Sequence, residues 1–182
     1  MPEHHSHHLV YGTLHDYLTG EELVDTDDER IRQRLSRMMV EMLGYRREEL
    51  EPRLSIETLF TRHFVRSVID LTVRLDDKQF MIIRYGPGSL VSRERAALAA
   101  ARVLNGSYQI PLAVVTNGTD AVLLETATGK TVGEGMTSIP TRSAAAAMLP
   151  TLLFLPLQDE EKRLREKRIL NAFDLERCCI GL

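Results

Sequence analysis

The chain has few cysteines, no tryptophan and no long uninterrupted apolar run among its 182 residues. Cys178 and Cys179 are adjacent, so they are badly placed for a structural disulfide and too few for a zinc site. The longest apolar stretch, residues 144–157, is interrupted by Pro150 and Pro156 and is too short to cross a bilayer. The first residues lack the apolar core of a signal peptide. We therefore predict a cytoplasmic protein with no membrane partner.

The chain also lacks a net positive charge, since its net charge is −3 and its isoelectric point is about 6.1. This balance excludes a general basic field, so nucleic-acid binding would need a local basic surface. A hydrophobic content of 43% supports one core of ordinary size. We predict a His-rich, flexible N-terminus over residues 1–18, one domain over residues 19–157 and a charged helix over residues 158–182.

A helix is predicted over residues 27–43. Thr26 and Glu29 have capping-box spacing, and Gly44 follows at the position of a left-handed C-terminal cap. Apolar residues recur at helical spacing along one face. The other face is basic, and a solvated surface is its ordinary interpretation; the arginines on it are Arg30, Arg32, Arg34 and Arg37.

The remaining pattern predicts an α/β fold with a central mixed sheet flanked by helices. Residues 14–23 suggest a short helix or a loop. Apolar and β-branched residues predict a strand, turn, strand unit, then a helix, a buried strand, a further strand and a Gly- and Thr-rich loop; the ranges are 54–60, 63–75, 79–85, 92–104, 110–116, 121–126 and 128–141.

One acid, Asp70, interrupts the apolar strand SVIDLTVRL, and the strand after it ends in Arg84-Tyr85-Gly86. Metal-dependent nucleases need hard oxygen ligands near the phosphate and often a lysine beside them. An economical arrangement has Asp on one strand and Glu-x-Lys at the end of its partner, because residues two apart share a face.

The chain resembles the N-terminal nuclease-like domain of the R subunits of type I restriction enzymes, within the PD-(D/E)xK superfamily. The resemblance extends over residues 19–126 and depends on the order of the helix, the Asp-bearing strand, the apolar strand and the TNG turn. It implies a restriction-endonuclease-like fold. The segments that carry it are TGEELVDTDDERIRQRLSRMMVEMLGY, VIDLTV, KQFMIIRYGPG and PLAVVTNGTDAVLLE.

The resemblance also implies functional positions. The family's helix-borne acid corresponds to Glu29 and its metal-binding aspartate to Asp70, whereas Glu-x-Lys is replaced by Arg84-Tyr85-Gly86. The Gln and Tyr that often follow correspond to Ala100 and Leu104. Arg84 would repel a divalent cation rather than bind it. These substitutions predict a degenerate site that lacks a cofactor, with Mg²⁺ required only if the site is active.

Two residues of this site have a structural alternative. Asp70 could form an ion pair with Arg84 on the adjacent strand, which we favour over metal ligation. Glu29 could serve only the capping box. The N-terminal histidines could chelate a transition metal, although a flexible segment is the favoured interpretation; they are His4, His5, His7 and His8.

Three functions are compatible with this sequence. The favoured one is an inactive nuclease-like domain that binds DNA or a protein partner. The second is a nuclease that recruits other ligands, such as Glu57 or Glu94. The third is a structural module that forms homo-oligomers.

Overall fold

The computed structural model describes residues 10–60 and 63–178. It has eight strands and four helices in these ranges, with short 3₁₀ and π-helical turns between them. The strands are β1 (Val10–His15), β2 (Glu22–Thr26), β3 (Leu50–Phe60), β4 (His63–Leu75), β5 (Lys78–Tyr85), β6 (Leu112–Thr116), β7 (Ala121–Glu125) and β8 (Thr131–Glu134). The helices are α1 (Asp27–Arg37), α2 (Val91–Val103), α3 (Arg142–Met148) and α4 (Glu160–Cys178).

Six strands form one mixed sheet in the order β3-β4-β5-β6-β7-β8. All neighbouring pairs are antiparallel except β5 and β6, which are parallel because α2 crosses over between them. The two N-terminal strands pair with each other as a separate hairpin.

Both faces of the central sheet are buried. On one face, Met81 and Ile83 pack in a cluster that includes Leu35 and Met39 from the first helix and the turn after it. On the other face, Ile82 packs with the alanines of α2 and with Leu170 of α4. The alternation of burial along β5 follows from the two-residue period of a strand. The near-continuous apolar character of MIIRY results from this double coverage.

The predicted α/β class is confirmed, and so are the first helix and its glycine cap. Thr26 Oγ1 accepts a hydrogen bond from the Glu29 backbone N–H at 3.1 Å, and Gly44 has a φ of 77°. The last turn of this helix is π-helical over Met38–Met42.

Two local predictions were wrong. Residues 14–23 contain the ends of β1 and β2 and the turn between them, where Asp16 accepts hydrogen bonds from the backbone N–H groups of Leu18 and Thr19. Residues 10–18, which we expected in a flexible terminus, therefore contain β1. Residues 128–141 are not entirely loop, because Thr131–Glu134 pairs with β7.

Within the described ranges, none of the helices is both long and apolar enough to span a bilayer. The N-terminal histidines and Cys179 lie outside the described residues.

Candidate functional site

Asp70 lies where the ladder between β4 and β5 ends. The last paired residues are Leu71 and Ile83, and Asp70 follows just beyond them. Its Oδ2 atom accepts a hydrogen bond from the Tyr85 backbone N–H at 2.7 Å, and its Oδ1 atom lies 2.5 Å from Nε of Arg32. Asp70 is 7% exposed. The carboxylate therefore extends the ladder by one hydrogen bond and fastens the first helix to the sheet.

Arg84 is bound by the C-terminal helix α4 rather than by the first helix. Its Nη2 atom lies 3.0 Å from Oδ1 and 3.3 Å from Oδ2 of Asp174 on α4, and both side chains are almost fully buried. The predicted ion pair between Asp70 and Arg84 is therefore wrong, although both residues are ion-paired. The reason is that Arg84 extends toward α4 whereas Asp70 reaches Arg32 on α1.

Glu29 has a larger role than the capping box requires. Its backbone N–H binds Thr26, but its carboxylate accepts a hydrogen bond from Gln33 at 2.8 Å and lies 3.5 Å from Nη1 of Arg32. The expectation that the cap alone accounts for Glu29 is therefore incomplete. Glu29 and Asp70 hold the same guanidinium group between them.

These side chains line a single cleft between α1, the β3–β4 ribbon and α4. Its lining contains four arginines and three carboxylates, together with Val68. The charged residues are Glu29, Arg32, Arg53, Arg66, Asp70, Arg84 and Asp174.

Arg53 enters the cleft through an unusual backbone conformation. Its φ is 58°, and the pairing of β3 with β4 skips it between Pro52 and Leu54. A non-glycine residue with positive φ is held there by its surroundings. Here the guanidinium binds Asp16 of the hairpin at 2.5 Å and Glu21 at 2.7 Å. Arg53 thus links the N-terminal hairpin to the cleft wall.

The cleft favours the charged form of Arg32. Burial by itself lowers the pKa of the Arg32 guanidinium, but the nearby carboxylates of Asp70, Glu29 and Asp28 raise it above its ordinary value. Burial, with the adjacent carboxylate of Asp28, raises the pKa of Tyr85 to about 12. The Tyr85 hydroxyl donates a hydrogen bond to Asp28 at 3.1 Å. Arg32 and Tyr85 therefore keep their protons at neutral pH.

The residues present do not fit a divalent cation. Mg²⁺ needs several oxygen ligands in octahedral geometry, but both Asp70 oxygens already accept hydrogen bonds and the Arg84 guanidinium lines the same cleft. Among the described residues, no group of three His, Cys, Asp or Glu side chains could hold a metal. A Cβ atom on Gly86 would overlap the Arg93 guanidinium, so a side chain at this position would require Arg93 to move.

The alternative ligands named from the sequence do not line this cleft. Glu57 lines a different groove, with residues of α4, and Glu94 belongs to α2. Ala100 is fully buried in the core, and Leu104 forms the C-terminal cap of α2. Ala100 and Leu104 therefore contribute packing rather than site chemistry.

Sequence reasoning missed Arg32 and Asp174 as site residues. Arg32 was grouped with a solvated helix face, and Asp174 with a charged tail. A signal for Asp174 does exist, because Glu166, Leu170 and Asp174 recur every four residues and all three are buried. Glu166 likewise binds Arg95 and Arg102 of α2 at 2.7 and 2.9 Å. Acidic residues on the same helix face as a core leucine therefore indicate buried ion pairs.

The fold and the cleft define an α/β domain with a central mixed sheet and a charged cleft, in which arginines are paired with carboxylates. The family model described as the type I restriction enzyme R protein N terminus matches residues 27–140. This match covers more than half of the chain, so the chain belongs to that family, and the resemblance seen in the sequence is confirmed. No curated protein and no solved structure matches the chain.

Proposed function

We propose that this domain binds nucleic acid without cleaving it. The observation that supports the absence of cleavage is the contact between Arg32 and Asp70, with Nε 2.5 Å from Oδ1. With the Tyr85 backbone N–H on the other oxygen, both oxygens of this carboxylate are engaged within the protein. Metal-assisted hydrolysis needs that metal to activate water and to neutralise the charge that develops on the phosphate.

The binding half of the proposal is supported by the charge of the cleft. Its lining has one more arginine than carboxylates. Arg66 is exposed, and among the described residues it makes neither an ion pair nor a hydrogen bond. Exposed guanidinium groups bind phosphate oxygens through paired N–H donors. The family to which the chain belongs is named for a restriction enzyme subunit, and this supports nucleic acid as the ligand.

The test combines cleavage and binding on the same preparation. Supercoiled plasmid and labelled oligonucleotides are incubated with Mg²⁺ or Mn²⁺, and fluorescence anisotropy measures binding from 50 to 200 mM salt. We expect intact DNA and an affinity that falls as salt rises. Metal-dependent cleavage that disappears in Asp70→Asn would establish an enzyme instead. A stable dimer that binds no DNA at low salt would favour the structural module.

A further inference from the structure

The outer face of the first helix and the N-terminal hairpin enclose a second basic groove. Arg30, Arg34 and Arg37 are spaced by four and three residues, so they form one stripe of about 10 Å along the helix. They line the groove with Leu14 and His15 of β1 and with Gln33. The hairpin lies before residues 27–140, which the family model matches. One wall of this groove is therefore outside the part that the family model describes.

Aromatic rings hold the guanidinium groups at both ends of the stripe. The Arg30 guanidinium lies 4.0 Å from the ring centroid of Tyr11. At the other end, Arg37 and Arg47 lie 5.1 and 4.3 Å from the ring centroid of Tyr17. A guanidinium stacked on a ring keeps its in-plane N–H donors for other partners. The stacking thus orders the cations without using their donors.

The arginines of the stripe differ in how they are neutralised. Arg30 binds Asp25 through two hydrogen bonds of 2.6 and 2.8 Å, so its charge is compensated within the protein. In the ranges 10–60 and 63–178, neither Arg34 nor Arg37 has a carboxylate partner. Glu41, four residues after Arg37, accepts a hydrogen bond from the Tyr17 hydroxyl at 3.1 Å. Arg34 and Arg37 therefore carry the uncompensated charge.

We propose that this groove binds the phosphodiester backbone of a nucleic-acid strand through Arg34 and Arg37, with the Tyr17 ring holding Arg37 in position. The inference rests on the proposed function for the nature of the ligand, but it places the contact outside the cleft. Guanidinium groups beside an exposed ring, that of Tyr11, suit nucleic acid better than an acidic peptide, because a strand offers both phosphates and flat bases.

The test measures how binding depends on salt. Arg34→Gln/Arg37→Gln is compared with the unaltered chain on single-stranded and duplex oligonucleotides of equal length, from 50 to 200 mM salt. Each lost phosphate contact makes the logarithmic salt slope shallower by about 0.9 for duplex and about 0.7 for a single strand. Because two arginines are removed, we expect the slope to change by about 1.8 if duplex DNA occupies the groove, or by about 1.4 if a single strand does. Tyr11→Leu, which removes the exposed ring, should weaken single-strand binding more than duplex binding.

Two matched control variants test whether the effect depends on where the charges are removed, rather than on the total charge or on loss of folding. Arg165→Gln/Arg168→Gln removes the same charge from α4 and should leave the slope unchanged. Arg34→Lys/Arg37→Lys keeps the charge and should keep the slope, while circular dichroism and thermal melting confirm that each variant is folded.

The outcomes distinguish this inference from the proposed function. In one outcome the unaltered chain binds DNA while Arg34→Gln/Arg37→Gln and Arg165→Gln/Arg168→Gln give the same salt slope. In that case the groove is not the contact, and the proposed function stands. If the unaltered chain binds no DNA, the proposed function fails first. Polyglutamate that displaces DNA as effectively as an unlabelled oligonucleotide would assign the groove to an acidic protein partner and overturn the inference.

Discussion

The Nε atom of Arg32 lies 2.5 Å from Oδ1 of Asp70, which joins the first helix to the end of the β4–β5 ladder. The opposite carboxylate oxygen accepts the Tyr85 backbone N–H. One acid therefore serves a strand and a helix at the same time. In a metal-dependent nuclease the corresponding carboxylate would be directed to a cation. Here the same geometry stabilises the packing of the helix on the sheet.

We expect that restoring the family's pair on β5 will not restore cleavage. Arg84→Glu/Gly86→Lys supplies both missing residue types, but Arg32 still binds Asp70 and the new side chain at 86 must displace Arg93. The introduced glutamate would also face Asp174, and like charges in a buried site are destabilising. Plasmid relaxation with Mg²⁺ or Mn²⁺ tests for cleavage, and urea unfolding measures the loss of stability.

Adding Arg32→Ala to that variant provides the comparison. Removal of the guanidinium leaves the Asp70 carboxylate accessible, so any recovered activity should require this third change. Cleavage by the double variant at the level of the triple variant would contradict the assigned role of Arg32.

The buried pair between Arg84 and Asp174 should show strong coupling. Removing one partner leaves a charge in a site where the two side chains are only 10% and 9% exposed. We expect Asp174→Leu to lower the free energy of unfolding by about 3 to 5 kcal/mol. Arg84→Met/Asp174→Leu should recover most of that loss, because no unpaired charge remains. Urea unfolding of the two single variants and the double variant measures the coupling directly.

A solvent-exposed ion pair on the same helix serves as the reference for these Arg84 and Asp174 variants. Arg165 and Glu161 on α4 form an i,i+4 ion pair whose side chains are 63% and 78% exposed. Glu161→Gln should cost no more than about 0.5 kcal/mol. If Asp174→Leu and Glu161→Gln lowered the free energy of unfolding by the same amount, burial would not make the Arg84–Asp174 pair more important than an exposed pair.

Acid should weaken the attachment of the hairpin to the cleft wall. Asp16 is 4% exposed. Although burial by itself raises the pKa of its carboxyl, hydrogen bonds from Arg53, Thr19, Gln33 and Leu18 lower that pKa to about 2. A carboxyl whose pKa is lower in the folded state stabilises that state above its unfolded value, near 4, and this stabilisation is lost as pH falls toward 2. The free energy of unfolding should decrease across that interval.

Asp16→Asn isolates the contribution of this group. The variant does not titrate at residue 16, so its loss of stability between pH 6 and pH 2.5 should be smaller by about 1 to 2 kcal/mol. Part of the loss should persist, because hydrogen bonds from Arg142 and Arg46 outweigh burial and lower the pKa of Glu49 to about 2 as well. Parallel curves for the variant and the unaltered chain would argue against the low pKa of Asp16.

Much of the fold was predictable because its signals are local. The cap at Thr26 and the helix after it depend on residues within one or two turns. The apolar runs of β5 and β6 reflect coverage on both faces. Strands β1 and β8 were missed because their residues are mostly exposed and lack the alternation that identifies a half-buried strand.

The ion-pair partners in the site were not predictable in the same way. Adjacency of β4 and β5 made Arg84 the nearest candidate for Asp70, and the two residues do line one cleft. Their actual partners are 38 and 90 positions away in sequence. Such contacts depend on which helix covers each face of the sheet, and neither propensity nor periodicity contains that information.

The mixed α/β class and the membership in a restriction enzyme family follow from residue order and local pattern, and the same pattern predicts that Arg84-Tyr85-Gly86 stands where the family has Glu-x-Lys. The packing of the folded chain was needed to show that Arg32 binds Asp70 and that Asp174 binds Arg84. The physical reason is that a buried charge takes the partner that packing brings within hydrogen-bonding distance, whatever their separation along the chain.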